Sequence, residues 1–277
     1  MRFAKPMKRN KCRCRLNISH NSITVVQRNS FLGFSNLESL DLSANALRNG
    51  GLQQHAFSRA VSLKHLSLAG NRGITRIPNF MDAGLDDSAL ETLDMNDLPL
   101  LLTVDSFAFR GLAALRTLNL SRCSIDTLSQ GWLNGGPERT LQTLDLSHNR
   151  ISQIDPYSLV SVTASMRFSE PSAFTSLPSE TASLSYVVSP SVGVPVQQIT
   201  PIFASDGSVP LFGSEWYEAL ESLQWLSLAN NRRLSLLAED AFAHLPSLRF
   251  LFLQVSMFPA CGNSLLRLVR PRVAIHE

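Results

Sequence analysis

The chain has 277 residues, 44% of them hydrophobic and 17% charged, with a formal net charge of +3. That is enough apolar material for a substantial core and too little charge for a disordered chain. The near balance of charge argues against a general affinity for nucleic acid, and no apolar run approaches the ~18 residues a membrane helix needs.

Residues 1–15 come first and hold much of the positive excess, as Arg2, Lys5, Lys8, Arg9, Lys11, Arg13 and Arg15. The opening MRFAKPMKRNKCRCR has the basic start of an export signal, but no hydrophobic segment follows it, so neither a signal nor an anchor is expected. Without interleaved aromatics it reads as a solvated tail, not a nucleic-acid arm.

From residue 16 to 157 a frame of Leu-x-x-Leu-x-Leu-x-x-Asn repeats. It is complete at Leu37, Leu40, Leu42 and Asn45, at Leu63, Leu66, Leu68 and Asn71, and at Leu141, Leu144, Leu146 and Asn149. It returns within 215–255 at Leu223, Leu226, Leu228 and Asn231. Imperfect copies carry Leu98 or Cys123 in the Asn place, Leu248, Leu251 and Leu253 end the series, and a half-copy with Asn21 opens it. Contiguous copies recur at about 24 to 27 residues, the period of a solenoid.

Alternation in Leu144-Asp145-Leu146 predicts a short strand that sends the leucines inward and Thr143, Asp145 and Ser147 outward. One unit cannot bury its leucines alone. Stacked in parallel, the units lay leucine on leucine, each gaining roughly 1.5–3 kcal/mol relative to exposure. The amide of Asn21, Asn45, Asn71, Asn149 and Asn231 can bond backbone groups inside the turn and form a ladder from slice to slice. Cys123 fills that place as a weak donor, whereas Leu98 cannot donate, which predicts a local break. Phe31, Phe57, Phe107 and Phe242 are expected to close each slice on the convex side.

Residues 158–214 break the period. They are rich in Ser and Pro and nearly uncharged, and no window restores the frame, so a long irregular insertion is expected. Trp216 and Tyr217 mark the return of regular packing. Residues 256–277 form a C-terminal segment.

The repeats resemble the extracellular type of leucine-rich repeat found in Toll-like, chaoptin-like and slit-like proteins. The resemblance implies an α/β solenoid of about eight repeats, a curved horseshoe with a parallel concave sheet and an irregular or short-helical convex side. It also implies disulfide-bonded caps at both ends. Cys12 and Cys14 then look like the remnant of one cap and Cys261 like the start of the other. They cannot pair across the molecule, since eight strands at about 4.8 Å separate the ends by over ~30 Å.

Catalytic chemistry finds little support. His65, Ser67, Asp41 and Asp94 fall on neighbouring strands, but polar residues are what a solvated strand face requires, and no strained nucleophile turn, phosphate loop or metal spacing accompanies them. No cofactor and no metal is expected. Outward positions read in order as Asn17 and Ser19, Asp41 and Ser43, His65 and Ser67, Asp94 and Asn96, Asn119 and Ser121, Asp145 and Ser147, then Trp225 and Ser227, and Phe250 and Phe252. The change to aromatics makes Trp225, Phe250 and Phe252, with Asp94 and Asp145, the candidate partner-binding residues. Asn17-Ile-Ser19 and Asn119-Leu-Ser121 match the glycosylation pattern. The resemblance implies a recognition or adhesion module of an extracellular or cell-surface protein, binding a protein partner. An intracellular repeat scaffold or regulatory subunit is the alternative.

Overall fold

The computed structural model describes residues 14–86, 88–154, 158–162, 217–237, 241–242, 244–254 and 274–276. Strands recur where the leucine frame predicts them: β1 (Cys14–Asn17), β2 (Leu37–Asp41), β3 (His65–Ser67), β4 (Thr92–Asp94), β5 (Thr117–Asn119), β6 (Thr143–Asp145), β7 (Trp225–Ser227) and β8 (Phe250–Phe252), and a further strand, β9 (Ala274–His276), lies in the C-terminal segment, where the frame has no copy. They form one nine-stranded sheet in chain order, every pair parallel. Register places Leu40 beside Leu66, Leu66 beside Leu93, Leu118 beside Leu144, and Leu144 beside Leu226. Each of these leucines is fully buried, with Leu42, Leu68, Leu146 and Leu228 one step along. The core is therefore a column of aliphatic rungs, as expected for a solenoid.

The chain enters the turn in the same way in seven slices. The residue before the Asn place has left-handed backbone at His20, Ala44, Gly70, Asp97, Arg122, His148 and Asn230, with φ between 49 and 67°. β-branched residues would be strained there, and none occurs. Opposite the sheet there is little helix among the described residues. One wide helical turn, Met81–Leu85, contains Gly84 at φ 84°, where an added Cβ would fall within 2.9 Å of the Ser58 backbone nitrogen.

The aromatic closure differs from the sequence expectation at one repeat. Phe109, not Phe107, is fully buried and stacks with Phe80 (ring centroids 6.3 Å) and edge-on with Trp132 (5.8 Å). Phe107 instead has φ 60° and is half-buried. Spacing explains the exchange. Phe31, Phe57 and Phe242 each lie the same distance before the next repeat's first leucine, and Phe109 holds that distance to Leu115 whereas Phe107 does not.

By contacts the chain divides into Met1–Ser161 with Ala219–Glu277, and Val162–Glu218. Most of the Ser/Pro-rich segment, Trp216, Cys12 and Cys261 lie outside the described residues. Its edges within the first unit are informative. Leu159 is fully buried in the place Phe109 fills in an earlier slice, and Trp132 Nε1 donates to Ser158 O at 2.8 Å. Leu220 is fully buried in the place of Leu112: Leu223 N donates to Leu220 O at 3.1 Å, as Leu115 N does to Leu112 O. One slice thus opens at Leu141 and is completed by Leu220, while β6 pairs with β7 in unbroken register.

Candidate binding face and the asparagine ladder

Side-chain amides link the slices. Asn71 Nδ2 donates to Leu42 O (3.0 Å) and Leu68 O (2.8 Å), and its Oδ1 accepts from Leu47 N (3.1 Å). Asn45, Asn149 and Asn231 repeat the pattern, accepting from Ile23 N, Ile125 N and Ile151 N. Asn21, in the first slice, is exposed and bonds only within its own turn, to Ile18 O and Ser19 O. Cys123 Sγ donates to Met95 O at 3.4 Å, and burial pushes its thiol up to about 12, so it stays protonated at neutral pH.

Leu98 supplies no such bond, and the preceding turn is built differently. Where the next slice carries Asn, the turn is short, as in Asn45-Ala46-Leu47, and the Leu47 N–H reaches the neighbour's amide. Before Leu98 and before Cys123 the turn gains a residue, as Asn71-Arg72-Gly73-Ile74 and Leu98-Pro99-Leu100-Leu101. Ile74 N then bonds Asn71 O and Leu101 N bonds Leu98 O, both at 3.0 Å. The extra residue satisfies inside the turn a donor that the missing amide would have accepted. The same extra residue occurs at Asn231-Arg232-Arg233-Leu234, where Leu234 N bonds Asn231 O at 2.9 Å; the Asn place of the slice that follows, Ser256, lies outside the described residues.

On the concave face the register sorts the outward residues into two rows, unlike the single series read from sequence. His65 is level with Ser39 and Thr92, and Trp225 with Thr143 and Phe250. Ser67 is level with Asp41 and Asp94, and Ser227 with Asp145 and Phe252. In that series the pairs of β3, β7 and β8 begin one place before the central leucine and those of the other strands one place after it, so it mixes the two rows.

The second row has a structural job the sequence reading missed. Asn17, Asp41, Asp94, Asn119 and Asp145 each accept, through Oδ1, the backbone N–H two residues on, at 2.9–3.2 Å. These Asx turns steer the chain out of the strand. The signal was present as Asp or Asn two places before Ser or Asn. Burial raises the carboxyl pKa of Asp94 above the usual aspartate range, opposed by bonds from Asn96 and assisted by the charges of Asp41 and Asp145.

At the far end, Trp225 and Phe250 are register partners, and the Trp225 and Phe252 rings lie 5.1 Å apart. Phe250 is 42% exposed, while Trp225 and Phe252 are half-buried. Asn17 is exposed, whereas Asn119 is half-buried between Asp94 and Asp145. Ser67 Oγ accepts from Ala69 N at 3.5 Å, and no hydrogen bond joins it to His65 among the described residues. No group of three metal-ligating side chains forms among the described residues.

A parallel-stranded solenoid with an asparagine ladder defines a repeat protein that offers its exterior for recognition. The leucine rich repeat family profile matches residues 15–72 and 212–255, and a second profile of that description matches 114–135 and 140–161. The chain belongs to the leucine-rich repeat family. Podocan-like protein 1 of Mus musculus is 31% identical over 140 residues, which cover 50% of this chain and 23% of that protein. Decorin of Equus caballus is 32% identical over 123 residues, covering 44% and 32%. The match thus spans less than a third of either relative. Among solved structures, the octameric complex of Latrophilin 3, Unc5D and FLRT2 gives a TM-score of 0.51 at 18% identity over 95% of this chain and 68% of that one. The Drosophila Toll–Spatzle complex gives 0.50 at 18% identity, covering 88% and 27%. Both have the same fold. The sequence relatives are extracellular or cell-surface proteins.

Proposed function

We propose that the chain is the recognition part of an extracellular or cell-surface receptor or adhesion protein, and that it engages a protein partner at the far end of the concave face. One observation carries this reading: Trp225 and Phe250 sit level on adjacent strands, with Phe252 against the indole, as an apolar patch on a face that is otherwise polar. Aromatics of this kind anchor protein interfaces. Asp145 is level with Phe252 across Ser227, and Asp94 lies two strands further along the same row, beyond Asn119. Each commits Oδ1 to its turn and leaves a second carboxylate oxygen for a donor on the partner. Leucine-rich repeat chains with this fold occur in complexes with other proteins, as the Latrophilin–Unc5D–FLRT2 and Toll–Spatzle assemblies record. Of the two glycosylation patterns, this reading favours Asn17, the exposed one, which lies on the first strand and away from the patch.

The test is a binding screen of the chain against a panel of cell-surface receptor ectodomains, run beside Trp225→Ala. Ectodomains captured by the native chain should lose about 100-fold in affinity for the variant, the loss of a strong interface anchor. The melting temperature should fall by no more than about 4 °C, since the indole is half-exposed. Equal capture by both proteins, or an unfolded variant, would contradict the assignment of the patch.

A further inference from the structure

The turns that follow the concave strands form one lateral edge of the solenoid, and charge is unevenly spread along it. Beside β3 and β4 it is balanced, with Arg72 Nη2 3.7 Å from Asp97 Oδ2. On the three consecutive turns after β5, β6 and β7 it carries Arg122, His148, Arg150, Arg232 and Arg233, all exposed. Asp126 is the acid of these turns among the described residues, and its Oδ1 already accepts from Thr127 Oγ1 at 3.0 Å. No ion pair involves these arginines among the described residues.

Backbone bonds fix their order. Arg122 N donates to Ser147 O (2.9 Å) and His148 N to Ala229 O (2.8 Å), so Arg122 and His148 occupy equivalent left-handed positions with φ 55 and 56°. Arg150 and Arg232 follow Asn149 and Asn231 in the same way, one strand spacing of about 4.8 Å apart. Arg233 is the extra residue of the longer turn. The fold needs a residue at each of these places, not a cation, since Ser124 fills the place of Arg150 one slice earlier. Like charges held so close repel one another, a cost that a bound anion removes.

We infer that this edge binds a linear polyanion, a sulfated polysaccharide. Arg150 and Arg232 at the strand spacing, with Arg122 and Arg233 on the same edge, suit a chain of anions better than a single ion, and guanidinium groups take sulfate-type oxygens in bidentate pairs. The choice of polysaccharide over nucleic acid rests on the extracellular reading above. The edge shares no residue with the aromatic patch, so loss of either surface is measured independently of the other.

Heparin oligosaccharides of defined length, titrated against the full chain at several salt concentrations, test the inference. Replacing Arg122, Arg150, Arg232 and Arg233 together by Ser should cost at least about tenfold in affinity near 0.15 M salt and flatten the fall of log K with log salt. Replacing Lys5, Lys8, Arg9 and Lys11 by Ser removes as many charges from the N-terminal cluster and should cost less than about threefold. The reverse order would overturn the inference. Lys in place of the four arginines should recover part of the binding, by charge without the bidentate pairing, and a melting temperature of the Ser variant far below that of the native chain would overturn the reading of its loss as a ligand contact. Desulfated heparin or duplex DNA binding the native chain as tightly as heparin would overturn the assignment to a sulfated polysaccharide. Unchanged receptor capture by the Ser variant is expected, because that activity belongs to the patch.

Discussion

Leu144→Ala is expected to lower the free energy of unfolding by about 2–5 kcal/mol, the range for a buried leucine that leaves a cavity. Leu144 is fully buried and lies between Leu118 and Leu226 in register. Its methyl groups therefore contact rungs on both sides, and the slices cannot close on the gap without shifting strands whose hydrogen bonds are already made. Chemical denaturation of the variant reads the loss as a lower midpoint at unchanged slope. An unchanged midpoint would mean that residue 144 does not point into the core.

Asn149→Ala is expected to cost about 2–4 kcal/mol, by a different route. The amide donates to Leu120 O (2.8 Å), Leu146 O (3.0 Å) and Ser147 O (3.3 Å) and accepts from Ile125 N (3.1 Å). Alanine leaves a buried N–H and several carbonyls without that partner, and each unsatisfied buried group costs about 1–3 kcal/mol. The turn Cys123-Ser124-Ile125 is of the short kind, so it has no internal acceptor to take over. Asn21→Ala, at an exposed amide that bonds only its own turn, should cost less than about 1 kcal/mol. Equal losses at the two positions would show that bonding between slices contributes nothing particular.

The contrast between those two asparagines marks what could be read from the sequence. The inward leucines, the recurring Asn and the strand positions follow from a frame that each of the four complete copies states in full. The longer turns before Leu98 and Cys123 were also written there, as one extra residue between the Asn place and the next apolar residue. Their meaning depends on the following slice, so it emerges only once the slices are stacked. Register on the concave face was misread for the same reason. Residues on either side of a central leucine both point outward, and only pairing tells which of them is level with Trp225. Two phenylalanines compete within DSFAFRG, and the distance to Leu115, the same as in the other repeats, decides for Phe109, with left-handed backbone at Phe107 as the structural counterpart. The arginine edge is the extreme case: Arg122, Arg150 and Arg232 are far apart in the chain and share no local pattern, yet three consecutive slices bring them together.

The central claim is that identical slices stack into one continuous core whatever the chain does between Leu159 and Leu220. Its most direct test is to replace residues 160–219 by Arg-Gly, the pair that joins Phe109 to Leu112 in an uninterrupted slice. The shortened chain is predicted to unfold in one cooperative transition, with a melting temperature within about 5 °C of the full chain. A shortened chain that lacks cooperative unfolding, or melts far below the full chain, would contradict the stacking of Leu144 on Leu226 as neighbouring rungs of one core.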